Sequence, residues 1–175
     1  MRLPLALLLA LLPTAAFAAD KPAIDLVATF MTGVVDGSTL AFGSGQYAGT
    51  IKQTGPGVFE TQTDNSGPLV NFAVTEKASC IFDIIFSLNN AAQGGIELDT
   101  HKLKSVIYGL AKEEPAFTDW AITLNGTDEG VVQNIGTDGK LSPATNNSII
   151  STSLKDTDMQ AAVTALQTTY CPAAT

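Results

Sequence analysis

Apolar residues in the stretch 22–36 fall at Ile24, Val27, Ala28, Met31, Val34 and Val35. That spacing repeats one face of an α-helix, and Leu26 and Phe30 widen the face. Asp25, Thr29, Thr32 and Asp36 form an opposite, polar stripe. Pro22 suits a first helical turn, Asp25 complements the positive helix end, and Gly37 ends the pattern. The spacing predicts an amphipathic helix over 22–36, buried on one side. A second helix is expected over 158–170. Its apolar stripe is Met159, Ala162, Val163, Leu166 and Tyr170, with Thr157 and Gln160 placed as a capping box.

Between these helices the period falls to two, and Gly and Pro punctuate it. Strand-like runs occupy 47–53, 58–63, 69–75 and 80–88. The Asp64-Asn65-Ser66-Gly67 turn makes a hairpin of the runs on either side of it. The run from Cys80 to Phe86 is nearly all apolar and reads as a central strand. Residues 96–112 mix helical spacing with β-branched residues. Their charges oppose a helix dipole, so two short strands around a turn at 99–102 are expected. A further hairpin is expected from 119–124 and 131–135, a last strand over 149–154, and a mobile polar loop over 142–148. Asp138-Gly139 marks another turn. Helix, many strands, helix is the pattern of an α+β fold: an antiparallel sheet packed by an N-terminal and a C-terminal amphipathic helix.

The first eighteen residues belong to none of this. Arg2, the apolar run 3–12, Pro13 and Ala16-Phe17-Ala18 have the order of a secretory signal peptide. The apolar run is about half of the roughly 20 residues a spanning helix needs. The expected organisation is therefore a leader over 1–18 and one α+β domain over 19–175, acting in the periplasm or outside the cell with no membrane span. That compartment changes the reading of Cys80 and Cys171, the only cysteines. An even pair in an exported chain predicts a disulfide joining the last helix to the start of the central strand.

Charge narrows the partners. The 175-residue chain carries 9 basic and 17 acidic residues, a formal charge of -8. Arg2 is the only arginine, so the chain beyond the leader lacks the usual bidentate clamp for phosphate. Both features argue against a nucleic-acid partner. His101 is the only histidine. No nucleophile elbow, H-E-x-x-H or phosphate-loop spacing occurs, and Gly43-Ser44-Gly45 lacks the strand–helix context of one. No catalytic set, metal or cofactor is assigned.

Three weak candidates for ligand binding stand together. If residues from Ile96 onward are extended, Glu97, Asp99 and His101 share one strand face. Two carboxylates and an imidazole there suit a divalent metal or acid–base work. The solvent face of an amphipathic strand is the simpler reading. Asp83 interrupts the apolar run as either a buried acid or a residue pointing out from the sheet. Asp128-Glu129 and Asp156-Thr157-Asp158 fall short of a calcium loop. Asn125 and Asn146 open N-glycosylation patterns, and Trp120 reads as core. The chain is thus expected to be a non-enzymatic module for an unknown protein or small-molecule ligand. The alternatives are a secreted hydrolase using acidic residues or His101, and a structural subunit of the envelope or cell surface.

Overall fold

The computed structural model describes residues 21–42, 47–63, 67–127 and 130–172. The expected leader, the run Gly43-Ser44-Gly45, turn residues 64–66 and the pair Asp128-Glu129 lie outside the described residues. The fold is mostly an antiparallel sheet with two helices and one disulfide. Helix α1 spans Ala23–Thr32. Eleven strands follow: β1 Thr39–Phe42, β2 Tyr47–Gly55, β3 Val58–Thr63, β4 Val70–Ala78, β5 Ile81–Leu88, β6 Ala91–Asp99, β7 Leu103–Glu113, β8 Thr118–Gly126, β9 Val132–Ile135, β10 Leu141–Pro143 and β11 Asn147–Thr152. Helix α2, Asp156–Thr169, closes the chain.

All the strands belong to one sheet, in the order β10-β9-β6-β5-β4-β3-β2-β1-β11-β8-β7. Strand β6 is third in that order and β7 last, yet only residues 100–102 join them. A link of three residues reaches about 10 Å. The sheet must therefore curl until its two flanks meet at this end. The return link from β8 to β9 runs beside the first: Thr127 N–H donates to Lys102 O and Asp99 N–H to Val131 O, each at 2.9 Å.

The two strands expected around the 99–102 turn are β6 and β7; the crossing sends them to different partners, β6 to β5 and β9, and β7 to β8. Residues 119–124 and 131–135 do not form the expected hairpin, since β8 pairs with β7 and β11, and β9 with β6 and β10. Turn chemistry marks where the chain reverses, and here it reverses onto the opposite flank. The expected loop over 142–148 is also partly strand, because β10 pairs with β9 around the Asp138-Gly139 turn.

Helix α1 lies inside the curl. It packs on β4, β5 and α2. From the other flank Tyr108 of β7 donates to Phe30 O at 2.9 Å, and Thr152 of β11 donates to Gly33 O at 2.7 Å. Leu26, Val27, Ala28, Phe30 and Met31 are all buried, together with inward residues Ile51, Phe59, Val74, Phe82, Ile84, Leu98, Val106, Ile122 and Leu124 of the sheet. Half of the expected polar stripe does not face water: while Thr32 is half-buried and Asp36 exposed, Asp25 and Thr29 are buried. Their polar atoms are satisfied internally, as buried groups require. Thr29 Oγ1 donates to Asp25 O, and the Asp25 carboxylate accepts from Gly57 N–H and Gln53 Nε2 at 2.8 and 3.0 Å. The helix also stops at Gly33 rather than Gly37. Gly33 takes φ +67°, and a Cβ there would sit 2.5 Å from Thr152 Cγ2, so only glycine fits.

Helix α2 begins at Asp156, two residues before the expected start, with Lys155 as an N-cap that makes no side-chain hydrogen bond. The expected capping box is therefore absent, and Thr157 lies within the first turn. Asp156 and Asp158 complement the helix dipole there. Met159, Ala162, Val163 and Leu166 are buried, but Tyr170 is 43% exposed and donates to Lys21 O. Cys80 and Cys171 form the disulfide, with Cα atoms 5.6 Å apart, fixing the end of α2 to the entry of β5.

Candidate functional site

Outward positions of β4, β5, β6 and β9 bring acids together on the convex face. Register aligns Thr75, Asp83, Glu97 and Gln133 in one row. Asp83 thus stands directly opposite Glu97, and Lys77, beside the bulge that separates Glu76 from Ala78, pairs with Glu97. Asp83 points out from the sheet but is half-buried, and its Oδ1 is enclosed without a hydrogen-bond partner. Desolvation raises the Asp83 pKa. Glu97 raises it further, while Lys77 opposes the shift. Lys77 in turn is raised, chiefly by its hydrogen bond to Glu97.

The three candidates from the sequence are only partly brought together. Glu97 and Asp99 lie on one side of β6, but the strand ends at Asp99 and His101 sits in the turn beyond it. There His101 N–H donates to Asp99 Oδ1 at 3.1 Å, and its Nδ1 is 3.5 Å from the same oxygen. Lys102 Nζ approaches Asp99 Oδ2 at 3.8 Å. Glu97 faces Lys77 while Asp99 holds the turn, so each acid is engaged by a neighbour. Among the described residues no group of three His, Cys, Asp or Glu side chains is arranged to hold a metal.

A different feature has the form of a binding site. At the far end of β7 and β8 a groove of about 440 Å³ opens between the β7–β8 connection and the entry to α2. Leu110, Pro115, Ala116, Phe117, Trp120 and Leu154 supply its apolar lining. Glu113, Glu114 and Asp156 bring negative charge, and Lys155 one positive charge. Its walls are fixed by hydrogen bonds: Trp120 Nε1 donates to Leu154 O at 3.0 Å, and Glu114 N–H to Phe117 O at 2.9 Å. Lys112 lies 2.5 Å from Glu114, whose hydrogen bond raises the Lys112 pKa. Leu110 is 62% exposed although it alternates along β7 with the inward-facing Val106 and Tyr108.

Trp120 is accordingly a half-buried wall rather than core. Strand periodicity could not reveal this groove, since an apolar residue at an inward position reads as buried. The available signal was Pro115-Ala116-Phe117, an apolar break between two strands. Two other hollows adjoin the flanks. One of about 400 Å³ is lined by Val132, Gln133, Pro143, Ala144 and their neighbours, and one of about 450 Å³ lies between Val35, Gly37, Leu154 and Asp158.

No protein family, curated protein or solved structure matches the chain. Among the described residues no helix is long and apolar enough to cross a membrane.

Proposed function

We propose that the chain is an exported, non-enzymatic binding module of α+β type, acting in the periplasm or outside the cell. Its groove at Leu110, Phe117 and Trp120 takes an apolar group that carries a positive charge. The observation that carries this reading is the groove itself, with aromatic and aliphatic walls beside Glu113, Asp156 and Lys155, and with Glu114 held in an ion pair by Lys112. Binding sites combine apolar lining with a few placed polar groups in this way. The net charge of the chain favours a cationic ligand over an anionic one. Export is supported by the leader-like start and by the disulfide, a bond that persists in oxidising compartments. Glu97, Asp99 and His101 line none of the three hollows described above, and the acids that do line the groove are Glu113, Glu114 and Asp156.

Calorimetric titration with decyltrimethylammonium below its micelle concentration tests the reading. Saturable one-to-one binding is expected, with decyl sulfate at least tenfold weaker. Phe117→Ser is expected to weaken the cation at least tenfold, the loss of roughly 1.5–3 kcal/mol of apolar burial. Equal affinity for both detergents, or binding untouched by Phe117→Ser and by Leu110→Ser, would contradict the proposal.

A further inference from the structure

The groove beside Trp120 shares a wall with a second hollow. Ser153 and Leu154 line both the groove of about 440 Å³ and the hollow of about 450 Å³ next to Val35 and Ser38. These two residues prolong β11, which lies between β1 and β8 in the sheet. The strap they form is fixed from both sides. Toward β1, Ser153 N–H donates to Thr39 O and Thr39 N–H donates to Ser153 Oγ, each at 2.9 Å. Toward β8, Trp120 Nε1 donates to Leu154 O at 3.0 Å. The two spaces therefore stand on either side of a fixed divider whose apolar residue, Leu154, faces both.

Both spaces carry the same sign of charge. In the groove Glu114 is neutralised by Lys112, which leaves Glu113 and Asp156 against Lys155. In the second hollow Asp36 and Asp158 stand against Lys21. The first turn of α2 thus presents one acid to each side of the strap, Asp156 to the groove and Asp158 to the hollow. We propose that the groove and the hollow are two halves of one site for a linear dication, with two ammonium groups joined by an apolar spacer that crosses the strap at Leu154. This rests on the reading of the groove as a seat for an apolar cation and adds a second seat. Strands β8 and β1 stand two strand spacings apart, about 10 Å, and an extended decane spacer covers that distance. Joining the two cations makes the second contact intramolecular, so two weak seats add up to a tighter site. A single cation leaves Asp36 and Asp158 without a ligand charge to meet.

Calorimetry on the disulfide-bonded chain compares decyltrimethylammonium with decamethonium, which carries a trimethylammonium at both ends of the same chain. Decamethonium is expected to bind one to one and about fivefold tighter than the monocation. Its affinity is also expected to fall more steeply with added salt, because the second seat lies near the surface. Asp36→Asn combined with Asp158→Asn is expected to shrink the advantage of the dication to less than about twofold. Asparagine at 36 keeps an oxygen for Gln53 N–H, which donates to Asp36 Oδ1 at 2.9 Å, so the loop is retained. A dication no tighter than the monocation would overturn the two-part site and leave the reading of the groove standing. So would two dications bound per chain, or an advantage that survives both substitutions. Absence of binding by either compound would overturn the groove reading and the two-part site together.

Discussion

Individual residues carry the clearest difference between pattern and place. Asp25 and Thr29 occupy the polar side of a helical repeat, and the repeat was legible. Their burial was not, because periodicity ranks side chains by their preference for water and cannot see a carboxylate met by Gly57 N–H and Gln53. The spacing of Glu97 and Asp99 likewise placed two acids on one strand face. It could not show that the strand ends before His101, or that Lys77 reaches Glu97 from two strands away. Asp83 yields a test at this scale. Its pKa is raised above 3.8 by burial first and by Glu97 second. The folded state therefore binds this proton more tightly than the unfolded state. Stability is full at pH below the unfolded value and falls as pH rises through the folded pKa. Asp83→Asn is expected to stabilise the protein at neutral pH and to make little difference at pH 3. Urea unfolding of both proteins across that range checks it, and a substitution that destabilises more at pH 7 than at pH 3 would reverse the sign.

At the scale of elements, most strands were legible and their partners were not. The runs at 47–53, 58–63, 69–75 and 80–88 correspond to β2 through β5, which pair in chain order. Local turns decide such pairs. The links at 100–102 and after Gly126 join strands that meet only because the whole sheet curls, and no local signal encodes that. The disulfide was readable from composition and compartment alone. It ties elements that lie 91 residues apart in the chain, so on the chain-entropy account it contributes about 4–5 kcal/mol. Replacing Cys80 and Cys171 together with serine is expected to cost about 4 kcal/mol of unfolding free energy. The loss should appear first as exchange of amides in the last turn of α2, because Cys171 holds that end to β5. A double variant within 1 kcal/mol of the parent, by denaturant unfolding, would remove the bridge from the account.

The whole molecule is a sheet curled around a helix. Helix α1 fills the middle of the curl and α2 covers one side of it. Leu110 stays exposed beside the first residue of α2, and the groove with Phe117 and Trp120 opens there. The outline of strands and two helices was present in the sequence. The groove was not, since it depends on the path of the β7–β8 connection and on where the entry to α2 lies against it. Trp120 is the only tryptophan in the chain and stands in the wall of that groove, so its emission reports on the site without a label. Titrating the protein with decyltrimethylammonium while recording tryptophan fluorescence tests the account most directly. A saturable shift in the Trp120 emission, with the midpoint displaced at least tenfold in Phe117→Ser, is the predicted result. An emission spectrum that stays unchanged while calorimetry registers binding would place the ligand elsewhere and contradict it.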